Sequence, residues 1–563
     1  MQDKRKGKYI RRTLYTLAGV LFFILVFTIF FKVMVKIDPP SVPEISAEKF
    51  TRILVDTNAY KIGDNWVRKS KTGLWEMYLS GNPYELGVKN GVLNQELISY
   101  QEKAFIERIK ELIPSESYLK FLKYAISWFN RDLDEYIPLE NQQEIFGISQ
   151  SADPKFNYIG NNYERILNYH AAHDIGHAMQ NLNLVACTAF GVWEDYSADS
   201  CLLVGRNFDF YVGDKFAENK IIAFYHPLTG FDFAMVTWGG MTGVVSGMNL
   251  EGLTITLNAA KSEIPYGART PVSLVARKIL QYASTIDEAL KIASGMKTFV
   301  CETFLIGSAN DGYASIIEKT PDTTVLYRSK VNYIIATNHL QHTVFANHKL
   351  NMENLENETS VYRFQRVKEL IEKISKFDYR SAATLLRNKE GLYDTPIGYG
   401  NEKAINQLIA HHSIIYKPVQ KQMWISTHPY QLGQYVCYDL KKIFSESERY
   451  DLSHEIIVDS LTIEPDSFLF SDTFNNYKEF QRMVEKLKKE PESIPPAERY
   501  HLISLNPEYY LSYERIGDYF ANTGDLKKSA EYYNFALSKE LSSATERRNI
   551  IKKLSELNRD SGN

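Results

Sequence analysis

Residues 186–193 read ACTAFGVW, and residues 205–210 read GRNFDF. The first stretch places Cys187 at the start of a short apolar run, which is typical of a strand. The second stretch ends a nearby strand with Arg206 and Asp209, and the intervening segment is short enough for a hairpin. We therefore expect the thiol, the guanidinium and the carboxylate to lie together. A cationic side chain beside a thiol lowers the pKa of the thiol, although a buried cysteine near a surface Arg–Asp pair is the alternative interpretation.

Four further motifs flank this stretch in a fixed order along the chain. They are GNPYELG at 81–87 with Gly91, GMNLEGL at 247–253 followed by Asn258, ATNH at 336–339, and SVYRF at 360–364. Together with Cys187 and GRNFD, they resemble the N-terminal-nucleophile hydrolases. The nearest resemblance is to the penicillin (isopenicillin-N) acyltransferase family, peptidase family C45. Choloylglycine hydrolases and acid-ceramidase-type amidases are more distant. The resemblance covers about residues 75–440.

The resemblance implies an α+β fold, a four-layer α/β/β/α sandwich, and a chain that cuts itself between Ala186 and Cys187. Ala186 stands where the acyltransferase has glycine. An α-amine freed at Cys187 has an ordinary pKa of about 7.7–8.0, so it can act as a base near neutral pH. The implied catalytic residues are Cys187, Arg206, Asp209, Asn258, Asn338 and Arg363.

Each of these residues has an implied role in cleaving a linear amide bond through an acyl-enzyme on the thiol. Asp209 would hold the amine, and Arg206 would favour the thiolate. Asn258 and Asn338 would stabilise the oxyanion, and Arg363 would tie the site together by ion pairing. This thiol mechanism requires no cofactor. The expected substrate is a small N-acyl amide rather than an ordinary peptide, with water or a second amine as the acceptor.

The N-terminus predicts a single-pass membrane anchor. Residues 1–12 are rich in Lys and Arg, whereas residues 13–31 carry no charge. Those uncharged residues span about 28 Å as a helix, close to the hydrocarbon thickness of a bilayer. The basic excess places the N-terminus in the cytoplasm and the rest outside, which is the periplasm in a Gram-negative bacterium. A cleaved signal peptide is the alternative, but no small-residue cleavage site follows the apolar run.

Changes in composition divide the chain into five predicted parts. These are a basic N-terminus and anchor (1–36), a Pro-rich spacer (37–45), a helical pro-region (46–186), a catalytic domain (187–445) and a helical tail (446–563). Short apolar runs after residue 184 predict antiparallel strands, followed by helices and further strands. The tail contains one tetratricopeptide-like repeat at about 506–540, which we interpret as a helical cap and as a possible surface for a protein partner.

Composition excludes several other classes of protein. The net charge is −3 and the apolar fraction is 44%, which fits a folded protein and gives no basic face for nucleic acid. No G-x-S-x-G, P-loop or G-x-G-x-x-G motif occurs. The four cysteines have no zinc-binding spacing. They are Cys187, Cys201, Cys301 and Cys437.

Two other functions remain open at this stage. His170, His173 and His177 lie at helical spacing with Asp174, so one helix face could bind a metal and form a hydrolase centred on these histidines. Hydrogen-bonded histidines that pack a helix are the alternative interpretation of this face. The chain could also be a non-catalytic, membrane-tethered scaffold, although a scaffold has no need for the Cys187 set.

Overall fold

The computed structural model describes residues 2–43, 50–113, 115–178, 186–446, 451–489 and 495–560. The strands are β1 Ile53–Asp56, β2 Ala59–Ile62, β3 Asn65–Lys69, β4 Trp75–Gly81, β5 Thr188–Val192, β6 Leu203–Phe208, β7 Ile221–Pro227, β8 Phe233–Thr237, β9 Ser246–Asn249, β10 Leu253–Ala259, β11 Glu302–Ser308, β12 Ala314–Lys319, β13 Thr324–Tyr327, β14 Tyr333–Ala336, β15 His412–Lys417, β16 Gln422–Ser426 and β17 Tyr435–Asp439.

The helices are α1 Gln2–Met34, α2 Pro83–Leu93, α3 Gln95–Leu112, α4 Glu116–Phe129, α5 Leu133–Tyr136, α6 Leu139–Ser149, α7 Asn162–Ala178, α8 Asp214–Glu218, α9 Val272–Tyr282, α10 Ile286–Gly295, α11 Lys349–Asn357, α12 Ser360–Ile374, α13 Tyr379–Leu386, α14 Leu440–Glu446, α15 Asp472–Lys489, α16 Pro496–Leu505, α17 Tyr510–Asn522, α18 Leu526–Leu537 and α19 Ala544–Asp560.

Two sheets organise the described residues. An 11-stranded sheet has the order β1-β2-β3-β4-β7-β8-β9-β10-β11-β12-β13, and a 6-stranded sheet has the order β14-β5-β6-β15-β16-β17. Neighbouring strands are antiparallel, apart from the parallel pair β4–β7. The mixed helix and sheet content agrees with the predicted α+β class.

The prediction that residues 46–186 form a helical segment is wrong for its first part. Residues 53–81 form β1 to β4, and helices begin only at Pro83. β4 joins the large sheet by pairing with β7, which follows it by about 140 residues along the chain. Because that pairing is non-local, no pattern within residues 53–81 could reveal it. The large sheet therefore contains strands from both sides of the predicted boundary at Cys187.

The central strands of both sheets are buried on both faces, whereas the edge strand β1 is exposed. Along β7, Ile222 and Phe224 belong to an apolar cluster that also contains Ile414 and Tyr438 of the small sheet. The alternate β7 residue Tyr225 belongs to a second cluster, which includes residues of α9 and α10. A third cluster joins the opposite face of the small sheet to α12 and α13. This alternation follows from the two-residue period of a strand.

The N-terminal helix contains a segment, Arg11–Met34, that is long and apolar enough to cross a membrane. Its mean hydropathy is 2.5, and none of the apolar window is buried against the rest of the protein. Just beyond it, Ile37 is buried among residues of α5, α6 and α7. The side chain of Gln143 donates a hydrogen bond to the carbonyl oxygen of Ser41 at 2.8 Å. The described part of the Pro-rich stretch thus runs along the folded body, while residues 44 and 45 lie outside the described residues.

The C-terminal helices pack on their own apolar cluster, which also includes Leu408 and Leu432 of the main body. Within the predicted repeat, α17 and α18 lie close together because Gly517 has no side chain. A Cβ atom at Gly517 would stand 2.5 Å from the ring of Tyr533. The hydroxyl of Ser529 donates to the Gly517 carbonyl oxygen at 2.9 Å. The tail is therefore a packed extension of the fold.

Candidate active site

Cys187 immediately precedes β5, and the hairpin partner of that strand brings the predicted site together. β5 pairs with β6 in a register that places Thr188 opposite Asn207. The backbone N–H of Ala186 donates to the carbonyl oxygen of Asp209 at 2.9 Å, which extends the pairing beyond the strand. Cys187 is fully buried. The short hairpin expected from the sequence is therefore present, and it carries Arg206 and Asp209 toward the thiol.

Arg206 links the two sheets beside the thiol. Its Nη2 lies 3.5 Å from Sγ of Cys187. The same guanidinium donates to the carbonyl oxygen of Val245 at 3.0 Å, and also to the carbonyl oxygen of Leu257 and the hydroxyl of Ser246. These acceptors lie at the ends of β9 and β10, so the cation is held in place by the opposite sheet.

Burial of the Cys187 thiol favours its protonated form. Burial raises the pKa of Cys187 to about 11, although the positive charge of Arg206 acts in the opposite direction. The effect expected for Arg206 is therefore present, but desolvation outweighs it. A protonated thiol is a weaker nucleophile than a thiolate.

Asp209 is a fully buried carboxylate without a hydrogen-bond donor. Neither of its carboxylate oxygens accepts a hydrogen bond from the residues that the structure describes. Burial raises the pKa of Asp209 to about 7, against the lowering effect of Arg363 and Arg206. A buried carboxylate of this kind is costly unless a cation or a donor reaches it.

Arg363, on α12, binds the backbone at the nucleophile. Its Nη1 donates to the carbonyl oxygen of Cys187 at 2.6 Å and to the hydroxyl of Thr188 at 2.9 Å. Its Nη2 donates to Oδ1 of Asn338 at 2.6 Å. Burial lowers the pKa of Arg363 to about 10, and the nearby Asp209 raises it. Arg363 therefore fixes both the start of β5 and the Asn338 amide.

Asn258 and Asn338 bind across the gap between β10 and the end of β14. Nδ2 of Asn258 donates to the carbonyl oxygens of Ala336 at 3.0 Å and Thr337 at 3.3 Å. Nδ2 of Asn338 donates to the carbonyl oxygen of Ala259 at 3.0 Å. Each of the two N–H groups of Asn258 thus has an acceptor, whereas Asn338 retains one further N–H. The residues expected from the motifs come together around Cys187.

Three further polar residues join this site that the sequence did not single out. Glu302 begins β11, is fully buried, and lies close enough to raise the pKa of Cys187. Burial raises the pKa of Glu302 itself well above its ordinary value. Nε2 of His412 lies 2.8 Å from the hydroxyl of Ser246, which in turn binds Arg206. The only sequence signal was a glutamate at the start of an otherwise apolar strand, which is weak.

On the histidine face of α7, the described side chains form hydrogen bonds with backbone groups of the protein. Nδ1 of His170 lies 2.9 Å from the carbonyl oxygen of Ile166, and Nε2 accepts from the backbone N–H of Thr242 at 3.0 Å. Oδ2 of Asp174 accepts from the backbone N–H of Val272 at 3.1 Å. Both ring nitrogens of His170 are therefore occupied by protein groups. The side chains of His173 and His177 lie outside the described part of the chain.

An apolar cleft lies beside the site, and it encloses about 570 Å³ of empty space, part of it open to solvent. Aromatic side chains form much of its wall, and they are Phe105, Tyr169, Phe210, Phe216 and Trp238. Phe210 follows Asp209 directly, and it shares an apolar cluster with Cys187. The cleft can therefore hold an apolar group, and Phe210 connects its wall to the chain at Asp209.

Most of the residues gathered around Cys187 lie in a region that matches a known family model. Residues 196–430 match the model of the family described as acyl-coenzyme A:6-aminopenicillanic acid acyl-transferase. The resemblance that the sequence motifs indicate is thereby confirmed over this part of the chain. The matched range begins just after the hairpin residue Cys187 and includes Arg206, Asp209, Asn258 and Arg363.

Curated relatives match about half of the chain. An uncharacterized protein of Archaeoglobus fulgidus is 26% identical over 256 residues, which cover 42% of this chain and 41% of the relative. Protein dcd1B of Dictyostelium discoideum is 24% identical over 293 residues, which cover 48% of this chain and 54% of the relative. The chain thus spans about half the length of these relatives.

Several solved structures are similar at low identity. The Caenorhabditis elegans ortholog of N-acylethanolamine-hydrolyzing acid amidase is 17% identical, with coverage of 41% of this chain and 93% of that chain and a TM-score of 0.31. Penicillin V acylase from Agrobacterium tumefaciens is 16% identical, with coverage of 46% and 87% and a TM-score of 0.32. A conjugated bile acid hydrolase from Clostridium perfringens is 14% identical, with coverage of 50% and 97% and a TM-score of 0.31.

Proposed function

We propose that this protein is a membrane-anchored, extracytoplasmic amidohydrolase or acyltransferase that uses Cys187 as its nucleophile and cuts itself between Ala186 and Cys187. The observation that carries the proposal is the buried Asp209 carboxylate, which has no donor among the described residues although it lies beside the thiol. Cleavage would create an α-ammonium group at Cys187, which is the cation that this carboxylate lacks. Beside Asp209, processed enzyme would thus carry a positive charge that the uncut chain lacks.

Self-cleavage would begin with attack of Sγ on the carbonyl carbon of Ala186. The S–C bond forms as the C–N bond to Cys187 breaks, so the acyl group moves from nitrogen to sulfur. Water then hydrolyses the thioester, which leaves a carboxylate on Ala186 and a free α-amine on Cys187. Arg363 supports this step because it holds the Cys187 carbonyl at 2.6 Å and keeps the start of β5 fixed.

Turnover would use the freed amine as the base. It takes the proton of the thiol, and the thiolate attacks the carbonyl carbon of an N-acyl amide. Arg206 favours the thiolate, and the remaining N–H of Asn338 is suited to bind the oxyanion, with Asn258 holding the neighbouring strand ends together. The leaving amine takes the proton from the α-ammonium. Water then releases the acid, or a second amine accepts the acyl group.

The surroundings of the site support a substrate with an apolar acyl part. The apolar cleft that Phe210 lines also presents Phe216 and Trp238. The bile acid hydrolase, the penicillin V acylase and the acid amidase have names that refer to small-molecule amides as substrates. We extend that substrate class to this chain.

We also propose that the layers follow the four-layer α/β/β/α order, that the tail is tetratricopeptide-like, and that the N-terminus is cytoplasmic.

Mass analysis tests the proposal directly. Purified wild-type protein should contain two associated fragments, the second of which begins at Cys187, and it should hydrolyse members of a panel of acyl-amides. Cys187→Ala should remain one chain and lose at least about a thousandfold in rate, since the nucleophile is absent. Cys201→Ala, which changes a cysteine away from the site, is the matched control and should be processed normally. A fully active, uncut wild-type chain would contradict self-cleavage.

A further inference from the structure

The outer side of α4 is an exposed aromatic surface, which contacts Phe31 of α1 at one end. Four side chains compose it, and they are Tyr118, Phe121, Tyr124 and Trp128. Their spacing of three and four residues places them on one face of the helix. Phe121 is 65% exposed and Tyr124 57% exposed, although aromatic residues of this size are usually buried. We call this surface the α4 aromatic face.

The α4 aromatic face is continuous with the end of the N-terminal helix. The ring of Phe31 stacks on Trp128, with centroids 5.8 Å apart and planes at 18°. It also meets Tyr124 edge to face at 5.9 Å. Phe31 is the last residue of the uncharged run in α1, and Lys32 follows it. The contact therefore ties one end of α4 to the point where the apolar helix ends.

The connection between α1 and the body is short and fixed. Ile37 is buried only a few residues beyond Met34, and its backbone N–H donates to Oε1 of Glu164 at 3.5 Å. The body thus cannot move far from the end of α1. The outer end of an apolar helix that spans a bilayer lies at the hydrocarbon boundary. Trp128 and Tyr124, which touch Phe31, must then lie at that same depth.

The residue types of the α4 aromatic face suit a position at the hydrocarbon boundary of a bilayer. Tyr and Trp are enriched at the membrane–water interface, where their rings contact acyl chains and their polar atoms contact water and headgroups. The guanidinium of Arg131 lies 4.8 Å above the ring of Trp128, and such a cation can bind lipid phosphate. Exposed aromatic rings and an adjacent cation together match a lipid headgroup region better than open water.

We infer that the α4 aromatic face inserts into the outer headgroup region of the bilayer that α1 spans, and that it fixes the orientation of the catalytic body on the membrane. This inference rests on the proposed membrane topology but not on the proposed chemistry. α4 ends at Phe129, whose ring packs on Phe299 at 5.1 Å in the cluster that contains Cys187. The helix that carries the membrane contact therefore packs directly on the apolar core of the catalytic domain.

Tryptophan quenching by brominated lipid tests this contact in the full-length protein. The background variant is Trp128→Phe, reconstituted in phosphatidylcholine vesicles with either ordinary or brominated acyl chains. Phe121→Trp is added to report on the face, and Phe470→Trp is the matched control because Phe470 is 74% exposed in the segment before α15. The brominated lipid should quench the Phe121→Trp protein by tens of percent more than the background, and it should leave Phe470→Trp equal to the background.

Two measurements on the same vesicles separate the possible failures. Resistance to alkaline extraction reports whether α1 is inserted, and the masses of the fragments report whether the chain is processed. Inserted protein with no extra quenching at Phe121→Trp would overturn the inference alone. Extractable protein with no quenching would overturn the inference together with the proposed topology. Loss of processing with normal quenching would overturn the proposed chemistry and leave the membrane contact supported.

Discussion

Two buried polar clusters lie on either side of residues 242–246, one around His170 and one around Cys187. They differ in the hydrogen bonds that their side chains form. On one side, His170 uses both ring nitrogens, one with Ile166 and one with Thr242. On the other side, Asp209 lies beside Cys187 with both carboxylate oxygens unpartnered among the described residues. Native proteins rarely leave a buried polar group unpaired, so the incomplete cluster is the one that awaits another group.

The arginines of the two clusters differ in the same way. Arg277, beside His170, forms an ion pair with Glu144 at 3.2 Å. Arg206, beside Cys187, is bound by carbonyl oxygens and a hydroxyl, and it forms no ion pair within the described residues. The charge of Arg206 lowers the pKa of the Cys187 thiol and also those of the Asp209 and Glu302 carboxyls. The comparison teaches that the carboxylate with neither oxygen paired lies beside the thiol, whereas Glu144 in the other cluster has one oxygen in an ion pair.

The largest expected effect comes from removing the charge of Asp209. In processed enzyme, Asp209→Asn should lower kcat by about 10²–10⁴-fold, because the base loses the carboxylate that holds it. Steady-state kinetics on a cleaved acyl-amide measure this loss. Asp174→Asn is the matched control from the other cluster, since an amide oxygen can still accept from Val272, and it should stay within about twofold. Equal losses in the two variants would remove the distinction between the clusters.

An intermediate effect is expected in the pH dependence of stability of the uncut chain. Burial raises the pKa of Asp209 to about 7, so the folded chain keeps a proton that the unfolded chain loses above about pH 4. Protonated Asp209 therefore makes its full contribution to the free energy of unfolding below about pH 4. That contribution is lost as the pH rises to about 7. Its steepest contribution is about 1.4 kcal/mol per pH unit.

Two uncut variants isolate this contribution. Urea unfolding of Cys187→Ala in detergent, from pH 4 to pH 7, should give a steeper fall in the free energy of unfolding than the same series on Cys187→Ala with Asp209→Asn. Other buried carboxylates, such as Glu302, affect both variants alike and cancel in the difference. Parallel curves would indicate that Asp209 has a partner in the uncut chain.

The smallest effect is expected from His170→Ala. This change leaves the Thr242 N–H without its acceptor, so the free energy of unfolding should fall by about 1–3 kcal/mol. Turnover of processed enzyme should stay within about twofold, and EDTA should leave the rate unchanged. A loss of activity in this variant, restored by added zinc, would instead identify α7 as a metal centre.

Patterns along the chain predicted the elements whose partners lie nearby in sequence. The short apolar runs after residue 184 were expected to form antiparallel strands followed by helices, and β7 and β10 are among those strands and α9 is among those helices. The strands β1 to β4 were missed because β4 is held by β7, far along the chain. Turn residues and periodicity report local order, whereas this pairing depends on the closed fold.

The same limit applies to the site. Cys187, Arg206 and Asp209 could be predicted from a hairpin, and Asn338 and Arg363 from motifs similar to those of a known family. Glu302 and the His412–Ser246 contact could not, because each is brought to Arg206 or Cys187 only when both sheets pack. Their importance lies in burial and distance, which no spacing in the sequence encodes. The pKa of the thiol is a further example, since desolvation reversed the shift expected from Arg206 alone.

The parallel pairing of β4 with β7 has a consequence for a chain that is cut before Cys187. β4 would belong to the first fragment and β7 to the second, so the break would turn one continuous fold into a heterodimer whose halves share a single sheet. The nucleophile would then have no covalent link to the membrane helix, and only backbone hydrogen bonds and apolar packing would retain it there. Refolding after denaturation would become a second-order reaction, and its yield would depend on the concentrations of both halves.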